Sequence, residues 1–166
     1  MQRVVILGPG GAGKSTLARQ LATLTGLPVI EIDQVFWASD MTAMPREQWV
    51  ARQQALVAHD QWILDGDLGP YDALDIRLRA ADTVIFLDVS PLRCAWRALR
   101  RSRERLDFWL WLLLCRWRSR PLFLRAMATY ADGATHHVLR NPTMTRHFLA
   151  AVRTMCQARR TGDLLP

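Results

Sequence analysis

"GPGGAGKST", Gly8 to Thr16, follows the apolar run "VVIL" and contains Lys14, the only lysine of the chain. It fits G-x-x-x-x-G-K-[ST] through Gly8, Gly13, Lys14 and Ser15. Glycines at Gly8, Gly10, Gly11 and Gly13, with Ala12 between them, let backbone N–H groups turn inward around a phosphate without Cβ clashes. The helix that starts here adds the positive end of its dipole. In such a loop Lys14 reaches the β- and γ-phosphates, Ser15 supplies a hydroxyl to Mg²⁺, and Thr16 completes the turn into the helix. ATP and Mg²⁺ are the expected cofactors.

On either side, strands and helices alternate. Arg3–Leu7 reads as a strand buried on both faces. A helix with Leu17, Leu21 and Leu24 on one face ends at Gly26. "LPVIEID" (27–33) is a second expected strand, and a helix starts near Pro45. "QWILDGD" (61–67) is a third strand, "YDALDIRLRAA" a short helix and "DTVIFLDV" (82–89) a fourth strand. A long Arg-rich helical stretch runs from Pro91 to about Tyr130, broken near Pro121. "THHVLR" (135–140) is a fifth strand, and a closing helix follows from Pro142. This pattern predicts right-handed βαβ units around a parallel sheet, hence an α/β fold. One domain over 1–157 is expected, with 158–166 as a frayed tail.

The chain has 166 residues and a formal net charge of +7, and since Lys14 is the one lysine its other basic residues are arginines. Arginine forks suit phosphate-bearing partners, although a genomic preference for Arg over Lys accounts for such an excess equally simply. Half the residues are hydrophobic, which excludes a disordered chain. Cys94, Cys115 and Cys156 are widely spaced and odd in number, as in a reducing compartment. The most apolar stretch, "LDFWLWLLLCRW" (106–117), falls short of a membrane span. The sequence therefore reads as a soluble cytoplasmic protein.

Ligands of open α/β sheets lie at the carboxyl ends of the strands, and acids stand at three such ends. Asp65, closing "WILD", is the expected magnesium support next to Ser15, with a turn role before Gly66 as its alternative. Asp88, closing "VIFLD", either supports the same metal or caps the helix after Pro91. Asp33, closing "VIEID", faces the acceptor across the cleft, where a carboxylate orients a hydroxyl or takes its proton; otherwise it caps a loop.

Together these residues resemble the adenylate-kinase-like P-loop proteins often labelled DNA topology modulation proteins. The resemblance rests on "VVILGPGGAGKSTLARQLA", "IEIDQVFW", "PREQWVARQQALVAHDQWILDGD" and "LDIRLRAADTVIFLDVS", and extends from about Met1 to Arg101. It implies a three-layer nucleoside-monophosphate-kinase-like fold with a five-stranded parallel sheet in the order 2-3-1-4-5. It also implies ATP binding and a phosphotransferase role, with residues 33–60 as the acceptor-side helical segment and 101–120 as the lid region. Asp33 and Trp37 match the acceptor-side "D-x-x-FW", and Asp65 the acidic end of strand three. Arg97 and Arg101 fall where related kinases stack an arginine on adenine and place another on phosphate. Arg77 and Arg79 face the acceptor or lie on a surface helix.

The chain departs from the pattern at two places. "DGDLGPYD" puts Asp67 where relatives carry Asn, adding negative charge near transferred phosphate. The lid span is apolar, "LDFWLWLLLC", so only flanking arginines such as Arg103, Arg105, Arg116, Arg118 and Arg120 can bring charge to it. Such a segment is a buried helix, a self-association surface that would make a homodimer through Leu106–Trp117, a wall of the acceptor cleft, or a membrane-surface attachment. Two functional readings follow: an ATP-dependent kinase of a small-molecule or nucleotide acceptor, and a nucleotide-dependent regulator of nucleic acid or protein. The second draws on the basic charge alone, because no aromatic–basic interleaving of an RNA-binding sheet occurs in the sequence.

Overall fold

A computed structural model describes residues 1–38, 40, 42–89 and 120–162. Five strands form one sheet: β1 (Arg3–Leu7), β2 (Val29–Glu31), β3 (Trp62–Asp65), β4 (Thr83–Leu87) and β5 (Thr135–Leu139). Their order is β2-β3-β1-β4-β5 with every neighbouring pair parallel, as the resemblance implied. The helices are α1 (Lys14–Thr25), α2 (Ile32–Phe36), α3 (Arg46–Val57), α4 (Leu74–Ala80), α5 (120–130) and α6 (Pro142–Gly162).

β1 is apolar throughout because both of its faces are covered. Val4 and Ile6 pack with Leu17, Leu21, Phe148 and Val152 beneath α1 and α6. Val5 and Leu7 pack with Trp49, Trp62, Leu78, Phe123 and Met127 beneath α3, α4 and α5. The result is three layers, helix on sheet on helix. Consecutive side chains of a strand point to opposite faces, so a central parallel strand shows no polar alternation.

β3 and β4 each end two residues before the expected boundary, and two further differences bear on the site and the carboxyl end. β2 ends at Glu31 rather than Asp33, since its pairing with β3 runs only from Val29 to Glu31. The chain then coils so that Ile32 and Phe36, one helical turn apart, both reach the core. Asp33 therefore stands in the first turn of α2 and not on a strand. At the other end, α6 continues to Gly162, past the expected tail boundary at 158. Gln157, Ala158, Arg159 and Arg160 are all good helix formers, and no glycine or proline intervenes before Gly162.

The start of the phosphate loop is fixed by close packing. Gly8 has φ +146°, and a Cβ there would lie 2.8 Å from the carbonyl oxygen of Leu87 on β4. A backbone oxygen cannot yield as a flexible side chain does. Gly8→Ala is therefore expected to lower stability by about 2–4 kcal/mol, read as a shifted denaturant midpoint.

Asp82 ties the amino terminus to β4. Its carboxylate accepts from the backbone N–H of Gln2 (2.6 Å) and Arg3 (3.0 Å) and from the Thr83 hydroxyl (2.6 Å). Burial opposes the charge, but these donors, with the terminal ammonium, leave the Asp82 pKa below the ordinary carboxylate value. A depressed pKa gives stability that is present above the unfolded value and is lost as pH falls through the folded one. Asp82→Asn is expected to lower Tm at pH 7, with the gap to wild type closing under acid conditions. A gap that persisted below the folded pKa would refute this account.

Candidate active site

The phosphate loop opens onto a cleft of about 940 Å³ at the carboxyl edge of the sheet. Gly10, Gly11, Ala12, Gly13, Lys14, Ser15 and Thr16 all line it, as do Glu31, Asp33, Asp65 and Gly66. α1 begins at Lys14 behind a left-handed Gly13 (φ 98°), with no acidic side chain in its first turn. Its free N–H groups therefore face the cleft beside Lys14 and Ser15, which makes an anion site. Lys14 Nζ donates to the carbonyls of Gly8 (2.7 Å) and Pro9 (3.3 Å), so the ammonium is held against the strand end that begins the loop.

Asp65 lies where the strand order puts it. β3 sits beside β1, with Asp65 in register with Ile6. The side chain is 3 % exposed, and its Oδ1 is buried with no hydrogen-bond partner. Burial raises the Asp65 pKa, and a hydrogen bond from Ser15 and the charge of Lys14 partly oppose the rise. One hydroxyl and one carboxylate, whose buried Oδ1 is unpartnered, suit a magnesium ion whose other ligands are phosphate oxygens and water. Among the described residues no group of three or more His, Cys, Asp or Glu forms a self-sufficient metal cage.

Asp33 is drawn to the same place from α2. Its Oδ2 lies 3.5 Å from the position a Cβ on Gly66 would occupy. Gly66 has φ +117°, and a side chain there would also press on Ile32 at 3.1 Å. This glycine thus lets α2 close onto the end of β3. Surrounding protein desolvates Asp33 and raises its pKa, which Lys14 counteracts and Asp65 reinforces. Asp67 is raised by burial as well, and Lys14 again opposes the rise. All three carboxylates thus feel the charge of Lys14.

Other expected residues take different positions. Arg77, read as facing the acceptor, is fully buried beneath the site. Its terminal nitrogens donate to Asp72 at 2.9 and 2.7 Å, to Gly66 O at 2.9 Å and to Gln53 Oε1 at 3.4 Å. Asp72 also accepts from Leu68 N (3.2 Å) and Gln53 Nε2 (3.2 Å). A buried guanidinium needs a carboxylate partner, and Asp72, five residues before it, supplies one at the start of α4. Arg77 is thus an internal strut of the loop between Asp65 and Asp72. Trp37 is half-buried and does not line the cleft; it packs edge-on to Phe36 (4.8 Å) and Tyr71 (6.0 Å). Asp88, read as a metal support or helix cap, pairs with Arg120 (3.1 Å) and Arg140 (3.8 Å), since its buried charge draws cations from α5 and the end of β5, and the segment after Pro91 that it was expected to cap lies outside the described residues. Arg97, Arg101, the apolar lid span and the dimer surface at Leu106–Trp117 lie outside the described residues.

Sequence reasoning missed the wall made by Asn141, Pro142, Thr145 and Arg146. Asn141 Oδ1 accepts from Met144 N at 2.9 Å and caps α6, with Pro142 in the first turn. The rule that ligands gather at strand carboxyl ends applies to β5 as well, and would have found these residues.

No protein-family model and no curated protein matches the chain. Solved structures do. A shikimate kinase from Acinetobacter baumannii, in complex with shikimate, superposes with a TM-score of 0.62 at 18 % identity, covering 96 % of this chain and 94 % of that one. A gluconokinase from Sinorhizobium meliloti 1021 gives 0.54 at 16 % identity, with 97 % of each chain covered. A deoxyadenosine kinase from M. mycoides with bound dCTP gives 0.52 at 14 %, covering 91 % of this chain and 98 % of that one. At these identities the likeness shows the fold, and the fold is that of P-loop kinases.

Proposed function

We propose that the protein is a magnesium-dependent ATP phosphotransferase acting on a small-molecule or nucleotide acceptor. The observation that carries this reading is the convergence of Lys14, Ser15 and Asp65 at the phosphate loop with Asp33 directly across from them. The fold shared with small-molecule and nucleoside kinases supports it. The narrower resemblance to topology modulation proteins adds no acceptor, and that label is no sign of DNA binding.

The loop N–H groups and the α1 dipole hold the triphosphate. Lys14 exchanges its two carbonyl contacts for the β- and γ-phosphate oxygens, where its charge counters the charge that develops as the terminal phosphoryl group leaves. Ser15 and Asp65 would hold magnesium, which when bound neutralises phosphate oxygens. Asp33 accepts a hydrogen bond from the acceptor hydroxyl and receives its proton; the raised pKa suits that exchange. Arg97 and Arg101 remain as proposed contacts to adenine and phosphate. Most of the catalysis asked of this chain is positioning.

The test is incubation with ATP, Mg²⁺ and a panel of nucleosides, nucleotides and hydroxylated metabolites. ADP is expected to form in step with one phosphorylated acceptor. Slow hydrolysis alone, unchanged by every acceptor, would replace the kinase reading with a nucleotide-dependent regulator.

A further inference from the structure

A triphosphate held by the loop has two ends, and the sheet order separates them. With the terminal phosphate at Lys14, Ser15 and Asp65, that end points toward β3 and β2, where Asp33 stands. β5 is the opposite edge strand, so the nucleoside end runs toward the chain that leaves β5. The same cleft continues there. Leu87 and Val89 line it from the end of β4, and Asn141, Thr145, Arg146 and Leu149 line it from the start of α6. Leu149 packs on the apolar cluster that contains Leu87 and Val89, and the three offer a surface on which a planar base can lie.

The polar edge of this wall is made of N–H groups. Asn141 Oδ1 accepts from Met144 N at 2.9 Å, which fixes the amide: its oxygen is turned to the helix and the two hydrogens of Nδ2 are left over. The Thr145 hydroxyl donates to the Asn141 carbonyl at 3.3 Å. Arg146 Nη2 donates to Thr143 Oγ1 at 3.3 Å, which keeps the guanidinium on the first turn of α6; among the described residues no carboxylate pairs with it, and Nε and Nη1 stay free. Gln20, exposed on α1 across the cleft, carries an N–H group and a carbonyl and can serve any base through one hydrogen bond. The two purines meet Arg146 differently. Guanine shows two neighbouring acceptors, O6 and N7, which a guanidinium fork fits with two hydrogen bonds. Adenine shows an N6 amino group beside N7, so the same fork sets N–H against N–H.

We propose that this end of the cleft selects guanine, with Arg146 on O6 and N7 and Asn141 Nδ2 beside it, so that GTP binds at least as tightly as ATP and serves as an alternative phosphoryl donor. The transfer is the same with either nucleotide. The acceptor oxygen forms the new bond to the γ-phosphorus, the bond from that phosphorus to the β–γ bridging oxygen breaks, and GDP is left in place of ADP. The hydroxyl proton passes to Asp33. This inference rests on the kinase reading for turnover but not for binding.

Calorimetric titration of the full chain with GTP, ATP and inorganic tripolyphosphate, each with Mg²⁺, separates the two. The Kd for GTP should equal or fall below that for ATP. Arg146→Ala should weaken GTP by about tenfold and ATP by about threefold or less. Tripolyphosphate, which has no base, reports the part of either loss that comes from charge alone. A merely structural role for Arg146 would weaken both nucleotides alike; that outcome would overturn the inference, as would wild-type binding of ATP about tenfold or more tighter than GTP. The expected binding ratio without transfer to any acceptor would uphold base selection and overturn the kinase. Binding of neither nucleotide would overturn both.

Discussion

Arg77→Ala is expected to destabilise the protein by about 3–5 kcal/mol, because it strands the buried Asp72 carboxylate without its cation. The guanidinium is fully buried and engages Asp72 twice, Gly66 O and Gln53. It therefore ties α3, α4 and the turn after β3 together at one point. Urea unfolding would show the loss as a lower midpoint at unchanged slope. A double variant, Arg77→Met with Asp72→Leu, should recover much of the stability, since two buried charges are removed at once. It should not recover acceptor handling, because Gly66 O loses its donor and the turn against Asp33 is no longer pinned. If Arg77→Ala unfolded at the wild-type midpoint, the strut would be no part of what holds this fold.

Lys14→Ala should abolish phosphoryl transfer, by about 10²–10³-fold or more, while leaving the fold intact. Lys14 makes two hydrogen bonds to loop carbonyls and no salt bridge among the described residues, so the fold survives its removal, with a loss of stability from the carboxylates that no longer feel its charge. Its charge matters when the triphosphate is bound and most when the γ-phosphoryl group is in transit. The thermal stabilisation that ATP gives the wild type should shrink in the variant, and circular dichroism should be unchanged. Lys14→Arg should rescue poorly, since a planar fork does not follow the path of a compact ammonium through a loop this close to the Gly8 and Pro9 carbonyls. Transfer at wild-type rates in Lys14→Ala would remove the central support of the kinase reading.

Much of this molecule could be read directly from its residues. β1, α1 and the loop between them follow from an apolar run, a glycine pattern and a helical leucine stripe, each a local signal. The five strands and their alternation with helices follow from the same periodicities. Asp65 was legible because a strand-end acid beside the phosphate-loop strand has few other uses. Asp33 was legible as a residue of the cleft, though not as a helical one. Three edge-strand pairings end β2 early, and only the core's demand for Ile32 and Phe36 on one face coils the chain there. The tertiary partners of Arg77 and Asp88 were not legible. Whether an arginine near a site faces the ligand or a buried carboxylate depends on which acid the fold brings beneath it.

The sequence by itself determined the donor half of this protein, because a phosphate loop is a contiguous device. Its glycines, its lysine and its helix start are neighbours along the chain, so the pattern is readable before the fold is known. Only the tertiary structure decided what faces that loop across the cleft. Asp33 and Asp65 come from α2 and β3, and both line the cleft because the strand order sets β3 beside β1 and the missing Cβ of Gly66 lets α2 close onto its end. Arg77 lies in the core rather than in the cleft because the fold brings the buried Asp72 carboxylate to it.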